Sequence, residues 1–291
     1  MITNLRIGNF GRLGNQFFQY AILRAISIKN GFEIVLPSND HTEFHGQPFL
    51  LKKFNIKCTY SDNIKPKNFI NEKVPNVFES DYIKVNDNTS IEGYFQNLQY
   101  FDSIKKNLKE EFLPSKSYLK EADNFLEIIK EKYPNKKIAS FHIRRGDQFK
   151  FRVTDLTRGN PGIKIYGSPF WFSKRSLFYK YFKKVLKEID LENTVFLVFS
   201  GGSRNSNYKN LRWINKCFKN LNFEISMNSD PIIDFSIMLK TDINILSYGS
   251  SFGWWAAYLN ENNQKYAPEN YFFGTEGGNM DFLFNNEFQL L

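Results

Sequence analysis

Apolar positions along the chain change their spacing repeatedly, and the changes mark out alternating strands and helices. Leu5-Arg6-Ile7-Gly8 reads as a short strand, and Gly11-Arg12-Leu13-Gly14-Asn15-Gln16 follows it as a loop. From Phe17 onward, apolar residues recur at Phe18, Tyr20, Ala21, Leu23, Ala25, Ile26 and Ile28, the spacing of one helix face, and Asn30-Gly31 closes the helix. Glu33 to Leu36 is a second strand stopped by Pro37, so the chain opens as strand, glycine loop, helix, strand. Residues 37–90 carry Pro, Asn and Asp at many places with little periodicity, which predicts loops, short strands and one helix at most. Ile91 to Phe95 reads as extended, Phe101 to Phe112 as helical, and residues 115–133 as a further helix closed by Pro134-Asn135.

A new unit begins with the apolar strand Lys137 to His142. Ser173 to Ile189 predicts a helix with Ser173 as its N-cap, and Val195 to Ser200 a buried strand. Tyr208 to Phe218 is a helix and Phe223 to Ile225 a strand. Pro231 to Leu239 is a helix with proline at its first position and Asp230 as cap. Ile243 to Leu246 is a strand, Gly249 to Gly253 a loop, and Phe252 to Leu259 a helix. Strands alternating with helices predict a parallel, doubly wound α/β sheet. In such sheets ligands sit at the carboxyl ends of the strands.

Length sharpens this picture. At 291 residues the chain has room for two domains, and the boundary is expected near residues 114–136, giving an N-terminal domain over 1–134 and a C-terminal domain over 135–291. No apolar run approaches the ~18 residues that span a bilayer, and Met1-Ile2-Thr3-Asn4 carries no basic leader ahead of an apolar stretch. Cys58 and Cys217 stand far apart with no paired framework, so both are expected as free, mostly buried thiols in a reducing cytoplasm. The net charge of +9 admits three partners: nucleic acid, an anionic membrane face, or an anionic small substrate. Lysines recur as surface pairs (Lys105-Lys106, Lys136-Lys137, Lys183-Lys184), which a solvated basic surface also explains. With no arginine-rich stripe and no RNP-type aromatic element, no nucleic-acid partner is expected.

Three segments carry candidate chemistry. Gly11 to Gln16 lies between a strand and a helix, where glycines let backbone approach an anion and the helix start offers N–H groups; a merely tight turn has the same pattern. Ser140-Phe-His-Ile-Arg-Arg-Gly-Asp147 ends a strand with His142, Arg144, Arg145 and Asp147. Guanidinium forks grip phosphate oxygens and keep their charge through a reaction, so this cluster suits a pyrophosphate. Asp242-Ile-Asn-Ile-Leu-Ser-Tyr-Gly-Ser-Ser-Phe-Gly-Trp-Trp255 runs strand, small-residue loop, helix. Ser250 and Ser251 are phosphate donors or N-caps, Asp242 is a candidate acceptor for the N–H groups of a base such as guanine, and Trp254 and Trp255 are expected in the core. There is no Asp-x-Asp clasp for a metal-bound nucleotide sugar. The remaining histidines, His41 and His45, with two scattered cysteines, make no zinc set.

Taken together and in this order, the segments resemble the bacterial α-1,2-fucosyltransferases. Gly11 to Gln19, continued by Tyr20 and Ala21, is similar to that family's Gly-x-Leu-Gly-Asn-Gln-x-Phe-Gln opening. Gly93-Tyr94-Phe95-Gln96, followed by Tyr100-Phe101, resembles its Gly-Tyr-Trp-Gln element. His142-Ile-Arg-Arg-Gly-Asp147 matches His-x-Arg-Arg-Gly-Asp, and Ser250-Ser-Phe-Gly-Trp-Trp255 is similar to Ser-Ser-Phe-Ser-Trp-Trp. Fucosyltransferases more widely, including those that modify proteins, share a looser version, in which an Asp, here Asp242, precedes the serine loop. The chain departs from the pattern at Gly253, at Gly201-Gly202 where two Asp are usual, and over residues 148–171, rich in Arg, Gly and aromatics.

The resemblance implies an α/β GT-B architecture: two Rossmann-like doubly wound domains facing a cleft, with donor on the C-terminal and acceptor on the N-terminal half. It implies inverting transfer of L-fucose from GDP-β-L-fucose to a sugar hydroxyl, the 2-OH of a galactoside in a glycan or lipid-linked precursor, with no metal and no further cofactor. Arg144 would take up the charge of the leaving GDP, helped by N–H groups at Gly14, Asn15, Ser250 and Ser251. His142 and Asp242 would orient the guanosine, and Arg145 and Phe252 complete the donor set. Asp147 is the first candidate base, with holding Arg144 or the fucose as its rival role, and Asp155 the second. The expected setting is the cytoplasm, with peripheral contact at the inner face of the membrane. Two other readings stay open: a different nucleotide-sugar donor or linkage on the same fold, and a non-catalytic basic glycan- or polyanion-binding protein.

Overall fold

The computed structural model describes residues 1–8, 11–38, 49–143, 168–200, 207–228, 230–261, 264–269, 271 and 282–291, with side chains from 178 and 211 onward in the helices that begin at 168 and 207. These residues form two compact units: Met1–Lys120 with Asn279–Asn285, and Glu121–Gly278 with Asn286–Leu291. The division at 120/121 falls inside the expected boundary region of 114–136, ahead of the cut at 134/135. It falls within a helix, Lys116–Lys132, where unbroken periodicity gives no boundary signal, and a C-terminal stretch returns to the first unit, where Leu98 N donates to Phe282 O at 2.7 Å.

In the first unit, β1 (Ile2–Thr3), β5 (Thr89–Glu92) and β4 (Asn68–Asn71) form one parallel sheet. A second parallel pair, β2 (Val35–Pro37) and β3 (Thr59–Ser61), is linked to β1 by a bridge from Ile2 to Ile34. The first strand is Ile2–Thr3 and not Leu5–Gly8. Asn4 Oδ1 accepts the Arg6 N–H at 3.0 Å and turns the chain, and Gly8 then takes φ 89°. Helix α1 (Leu13–Asn30) begins earlier than read, taking in Leu13 to Gln16 of the expected loop, and Gly31 closes it as expected at φ 74°. It is locked to α2 (Lys105–Glu111) by Glu111, which accepts Tyr20 Oη at 2.6 Å and Arg24 Nε at 2.7 Å. The expected helix over Phe101–Phe112 is split into a 3₁₀ turn, Asp102–Ile104, and α2; α3 is Lys116–Lys132.

The second unit alternates β6 (Lys137–His142), α4 (Ser168–Glu188), β7 (Thr194–Phe199), α5 (Asn207–Phe218), β8 (Phe223–Ile225), α6 (Pro231–Met238), β9 (Ile243–Ile245), α7 (Ser251–Leu259), β10 (Gln264–Ala267) and β11 (Gln289–Leu290). The sheet order is β11-β10-β9-β6-β7-β8, parallel throughout. That order explains why its central strands read as continuous apolar runs: both faces are covered. Phe141, Phe178, Phe182 and Phe218 pack on one face, with the Phe182 and Phe218 rings 4.9 Å apart. Helix α4 starts before Ser173, so that serine is inside the helix and is not its cap. Asp230 caps α6 as expected, accepting from Ile232 N at 2.8 Å. Trp254 and Trp255 are fully buried. Cys58 and Cys217 form no disulfide and lie one in each unit, half-buried and not mostly buried.

A buried polar network joins β6, β9 and α7. Asn244 Nδ2 donates to Ser140 Oγ at 2.8 Å and to Met238 O at 2.9 Å, and Asn260 Nδ2 donates to Asn244 Oδ1 at 2.8 Å. Thr241 Oγ1 closes the ring by donating to Ser140 Oγ at 3.0 Å. Removing one member strands the others without water. Asn244→Ala is therefore expected to lower unfolding stability by about 2–3 kcal/mol, read from urea midpoints.

Candidate functional site

At the carboxyl end of β6, His142 Nδ1 lies 2.7 Å from Ser250 Oγ. Ser250 caps α7: its Oγ accepts the Gly253 N–H at 3.2 Å. The Ser250 oxygen has a second lone pair, so the donor in the Ser250–His142 bond is set by the imidazole tautomer. Tyr271, buried, donates its Oη to Ser250 O at 2.6 Å and holds the loop from behind. Phe252 follows, its ring 5.3 Å from His142 and 5.6 Å from Phe235. Among the described residues, the Ser251 and Phe252 N–H groups at the start of α7 have no main-chain acceptor, as at the first turn of any helix. Gly253 belongs to this packing. A Cβ there would sit 3.3 Å from His142 Cβ and 3.4 Å from both His142 Nδ1 and Ser250 Oγ. The departure from serine at 253 thus fits a close approach of His142 to the cap.

Gly249-Ser-Ser-Phe-Gly253 also has the Gly-x-Ser-x-Gly spacing of a hydrolase nucleophile elbow. The geometry does not support that chemistry. His142 bonds Ser250, and the positive φ of the turn falls on Gly249 (61°) instead of Ser251, the serine in the nucleophile place.

Asp242 stands away from this cluster. Its Oδ2 accepts the Ile138 N–H at 2.8 Å and its own N–H donates to Ile138 O at 2.9 Å, which pins it to the amino end of β9 beside the start of β6. His142 lies four residues further along β6, about 13 Å at ~3.3 Å per residue. The guanine-reading place expected for Asp242 is therefore not where the structure puts that carboxylate; it ties two strands together. Asp242→Ala is expected to cost about 1 kcal/mol of stability and to leave GDP affinity within about twofold, by denaturation and calorimetric titration.

A carboxylate that the sequence reading passed over does lie at the carboxyl edge. Asp234 is in the first turn of α6, and its Oδ1 accepts Ser226 Oγ at 2.5 Å and Asn228 Nδ2 at 3.1 Å, both just past the end of β8. Among the described residues its Oδ2 accepts no hydrogen bond. Burial pushes the Asp234 carboxyl up to about 6, and Asp230 nearby adds to this, against the lowering effect of Ser226 and Asn228. The next residue, Phe235, touches the Phe252 ring, which places Asp234 on the helix that packs beside α7. An acidic residue in a helix's first turn is ordinary dipole chemistry, so the sequence marked it only weakly.

In the first unit, Gly11 and Asn15 form a tight joint. Gly11 has φ 88°, and a Cβ there would lie 2.0 Å from Asn15 Nδ2. The Asn15 N–H is not offered to a ligand: it donates to Arg12 O at 2.8 Å. Its side chain instead accepts Gln96 Nε2 at 3.0 Å, joining the Gly11 and Gly93 motif segments of this unit. Gly14 is buried in the first turn of α1, and Gln16 braces residue 50 by accepting the Leu50 N–H at 3.0 Å.

Arg144, Arg145, Asp147 and Asp155 lie outside the described residues, directly after Ile143, whose N–H donates to Phe199 O at 2.7 Å. His41 and His45 lie outside them too. Among the described residues no three His, Cys, Asp or Glu side chains gather as a metal site, and no helix is long and apolar enough to cross a membrane.

No protein-family model and no curated protein matches the chain. Among solved structures, POFUT1 in complex with GDP superposes at a TM-score of 0.50 and 14% identity, over 94% of this chain and 98% of that one. The fucosyltransferase NodZ from Bradyrhizobium gives 0.49 at 12% identity, over 88% and 91% of the two chains. The POFUT1 likeness establishes an α/β fold of the GT-B type with parallel sheets in both units. At such identities it extends to the fold alone.

Proposed function

We propose that this chain is an inverting, metal-independent fucosyltransferase that moves L-fucose from GDP-β-L-fucose to a sugar hydroxyl. The observation that carries the reading is the joined edge of the second sheet: His142 on Ser250, Phe252 beside it, and the N–H groups of Ser251 and Phe252 at one helix start. Nucleoside diphosphates suit such an edge, with the pyrophosphate on the helix N-terminus and the base on an aromatic ring. The POFUT1 structures with GDP and with GDP-fucose support the donor class.

Asp234 takes over the base-reading role. Guanine presents two adjacent donors, N1–H and N2–H, to the unfilled Asp234 Oδ2, whereas uracil has one ring N–H and adenine a single amino group. A site built on that acceptor discriminates against analogues lacking the donors, because its own carboxylate is then left unpaired. This favours a GDP-sugar over a UDP-sugar on the same fold.

In the reaction, the acceptor oxygen bonds to the anomeric carbon as the bond from that carbon to the β-phosphate oxygen breaks on the opposite face. The leaving GDP keeps the electron pair, and the acceptor's proton passes to a base, for which Asp147 is the first candidate and Asp155 the second. Arg144 and Arg145 supply positive charge to the pyrophosphate, with the Ser250-Ser251 turn as a further donor. The motif segments support the 2-OH of a β-galactoside as acceptor and an α-1,2 linkage, and the net charge of +9 suits a lipid-linked acceptor at an anionic cytoplasmic membrane face. Calorimetric titration with GDP, UDP and ADP tests the donor assignment: GDP is expected to bind at least about tenfold tighter than the others, and equal binding of all three overturns it.

A further inference from the structure

The carboxyl edge of the first unit's sheet contains a carboxylate that neither the motifs nor the transfer reading uses. Glu72 directly follows β4, and it reaches across to the segment after β5. Its Oε2 accepts the Tyr94 N–H at 2.7 Å, and the Phe95 N–H points at both oxygens, 3.1 Å from Oε1 and 3.2 Å from Oε2. One of the two donor residues, Phe95, has left-handed backbone at φ 52°. For a side-chain-bearing residue that conformation is unfavourable by about 1 kcal/mol or more, and it persists here with the Phe95 N–H turned onto the carboxylate.

The turn held this way delivers a particular side chain. Gln96 is the residue after Phe95, and its Nε2 donates to Asn15 Oδ1 at 3.0 Å. Glu72 and Gly93 are fitted to one another: a Cβ on Gly93 would stand 2.4 Å from Glu72 Cβ. Asn15 is fixed from its other side by the contact with Gly11. Two half-buried amides are thus locked head to tail, which leaves Asn15 Nδ2 and Gln96 Oε1 as a donor and an acceptor set by the same bond. Adjacent donor–acceptor pairs on a rigid frame recognise vicinal hydroxyls of a neutral sugar, and hold them without net charge.

We propose that Glu72 is a positioning residue for sugar recognition by the first unit: its carboxylate holds the Gly93–Gln96 turn so that Gln96 and Asn15 form one hydroxyl-binding pair for the acceptor. This rests on the sugar-transfer reading for the identity of the ligand, but its test does not need turnover. Glu72→Gln keeps the shape while setting an NH₂ group against N–H donors; Glu72→Ala removes the anchor altogether.

The experiment is NMR on full-length protein with the Asn15 and Gln96 side-chain amides assigned, titrated with methyl β-galactoside and with lactose, while GDP affinity is measured separately by calorimetry. In the parent protein both amide signals are expected to shift saturably with sugar. In Glu72→Gln the apparent sugar affinity is expected to fall at least tenfold, with GDP affinity within twofold; if Glu72→Ala folds, it is expected to lose the shifts entirely. Retention of the parental titration by Glu72→Gln overturns the proposal. So does an equal loss of GDP affinity, which would mark a merely structural role. Parent protein that binds GDP but whose two amides ignore both sugars overturns it while leaving the donor reading intact. Parent protein that binds sugar through these amides and not GDP does the reverse.

Discussion

Asp234→Asn is expected to make the protein more stable near neutral pH and at least about tenfold weaker for GDP-fucose. Both effects come from one carboxylate. The folded protein holds the Asp234 proton up to about pH 6, against the ordinary aspartate value of 3.8, chiefly because the group is buried. A raised folded pKa means that the native state binds this proton more tightly than the unfolded chain does. The stabilising contribution is complete below about pH 4 and is lost as pH rises to about 6. Above that, the buried anion opposes folding. An asparagine keeps an oxygen for Ser226 and Asn228 and carries no charge, so the variant should gain about 2 kcal/mol over the parent near pH 7.5. The measurable quantity is the difference in urea midpoint between parent and variant, flat below about pH 4 and widening to about pH 6.

The same ionisation sets donor binding. Oδ2 accepts from guanine best as an anion, so GDP-fucose affinity should rise as pH climbs through about 6 in the parent and stay level in the variant. GDP-fucose serves better than GDP here because its pyrophosphate has no terminal group titrating in that range. Unchanged affinity in Asp234→Asn removes Asp234 from the base-reading role.

Arg144→Ala is expected to lower turnover at least about a hundredfold while the melting temperature stays near that of the parent. Loss of GDP from fucose leaves charge on the pyrophosphate, and without a metal that charge needs fixed positive groups. Arg144 stands two residues beyond His142 in sequence, and His142 is the last residue of β6. Lysine would keep the charge and lose the two-pronged fork, so Arg144→Lys should fall between the alanine variant and the parent. Near-normal turnover by Arg144→Ala would remove this residue from charge stabilisation.

How far the sequence could be read depended on whether the deciding contacts were local. The second unit's elements from β6 to α7 were visible because each buries an apolar face with its own period, and local caps at Asp230 and Ser250 closed them. The Ser250–His142 bond spans 108 residues and was legible only as two motifs. The first strand was misplaced because Ile2-Thr3 is short and the more strand-like Leu5–Gly8 is turned by the Asn4 side chain. Asp242 and Asp234 show the other failure. Both are acidic residues at element ends, and the sequence cannot tell a strand's amino edge from the carboxyl edge where ligands sit. Only the pairing of Asp242 with Ile138 separates them. Glu72 lay in a stretch with no periodicity, and its role depends on N–H groups more than 20 residues away, with |i−j| of 22 and 23 to Tyr94 and Phe95.

The measurement that tests the central claim most directly is transfer from GDP-fucose to a panel of β-galactosides with EDTA present, with product linkage read by NMR. The account predicts fucosylated product in EDTA, with an α-configured linkage to the galactose 2-OH. Failure of the protein to bind GDP or GDP-fucose would contradict the account at its root, and activity abolished by EDTA and restored by a divalent ion would contradict its metal-free mechanism.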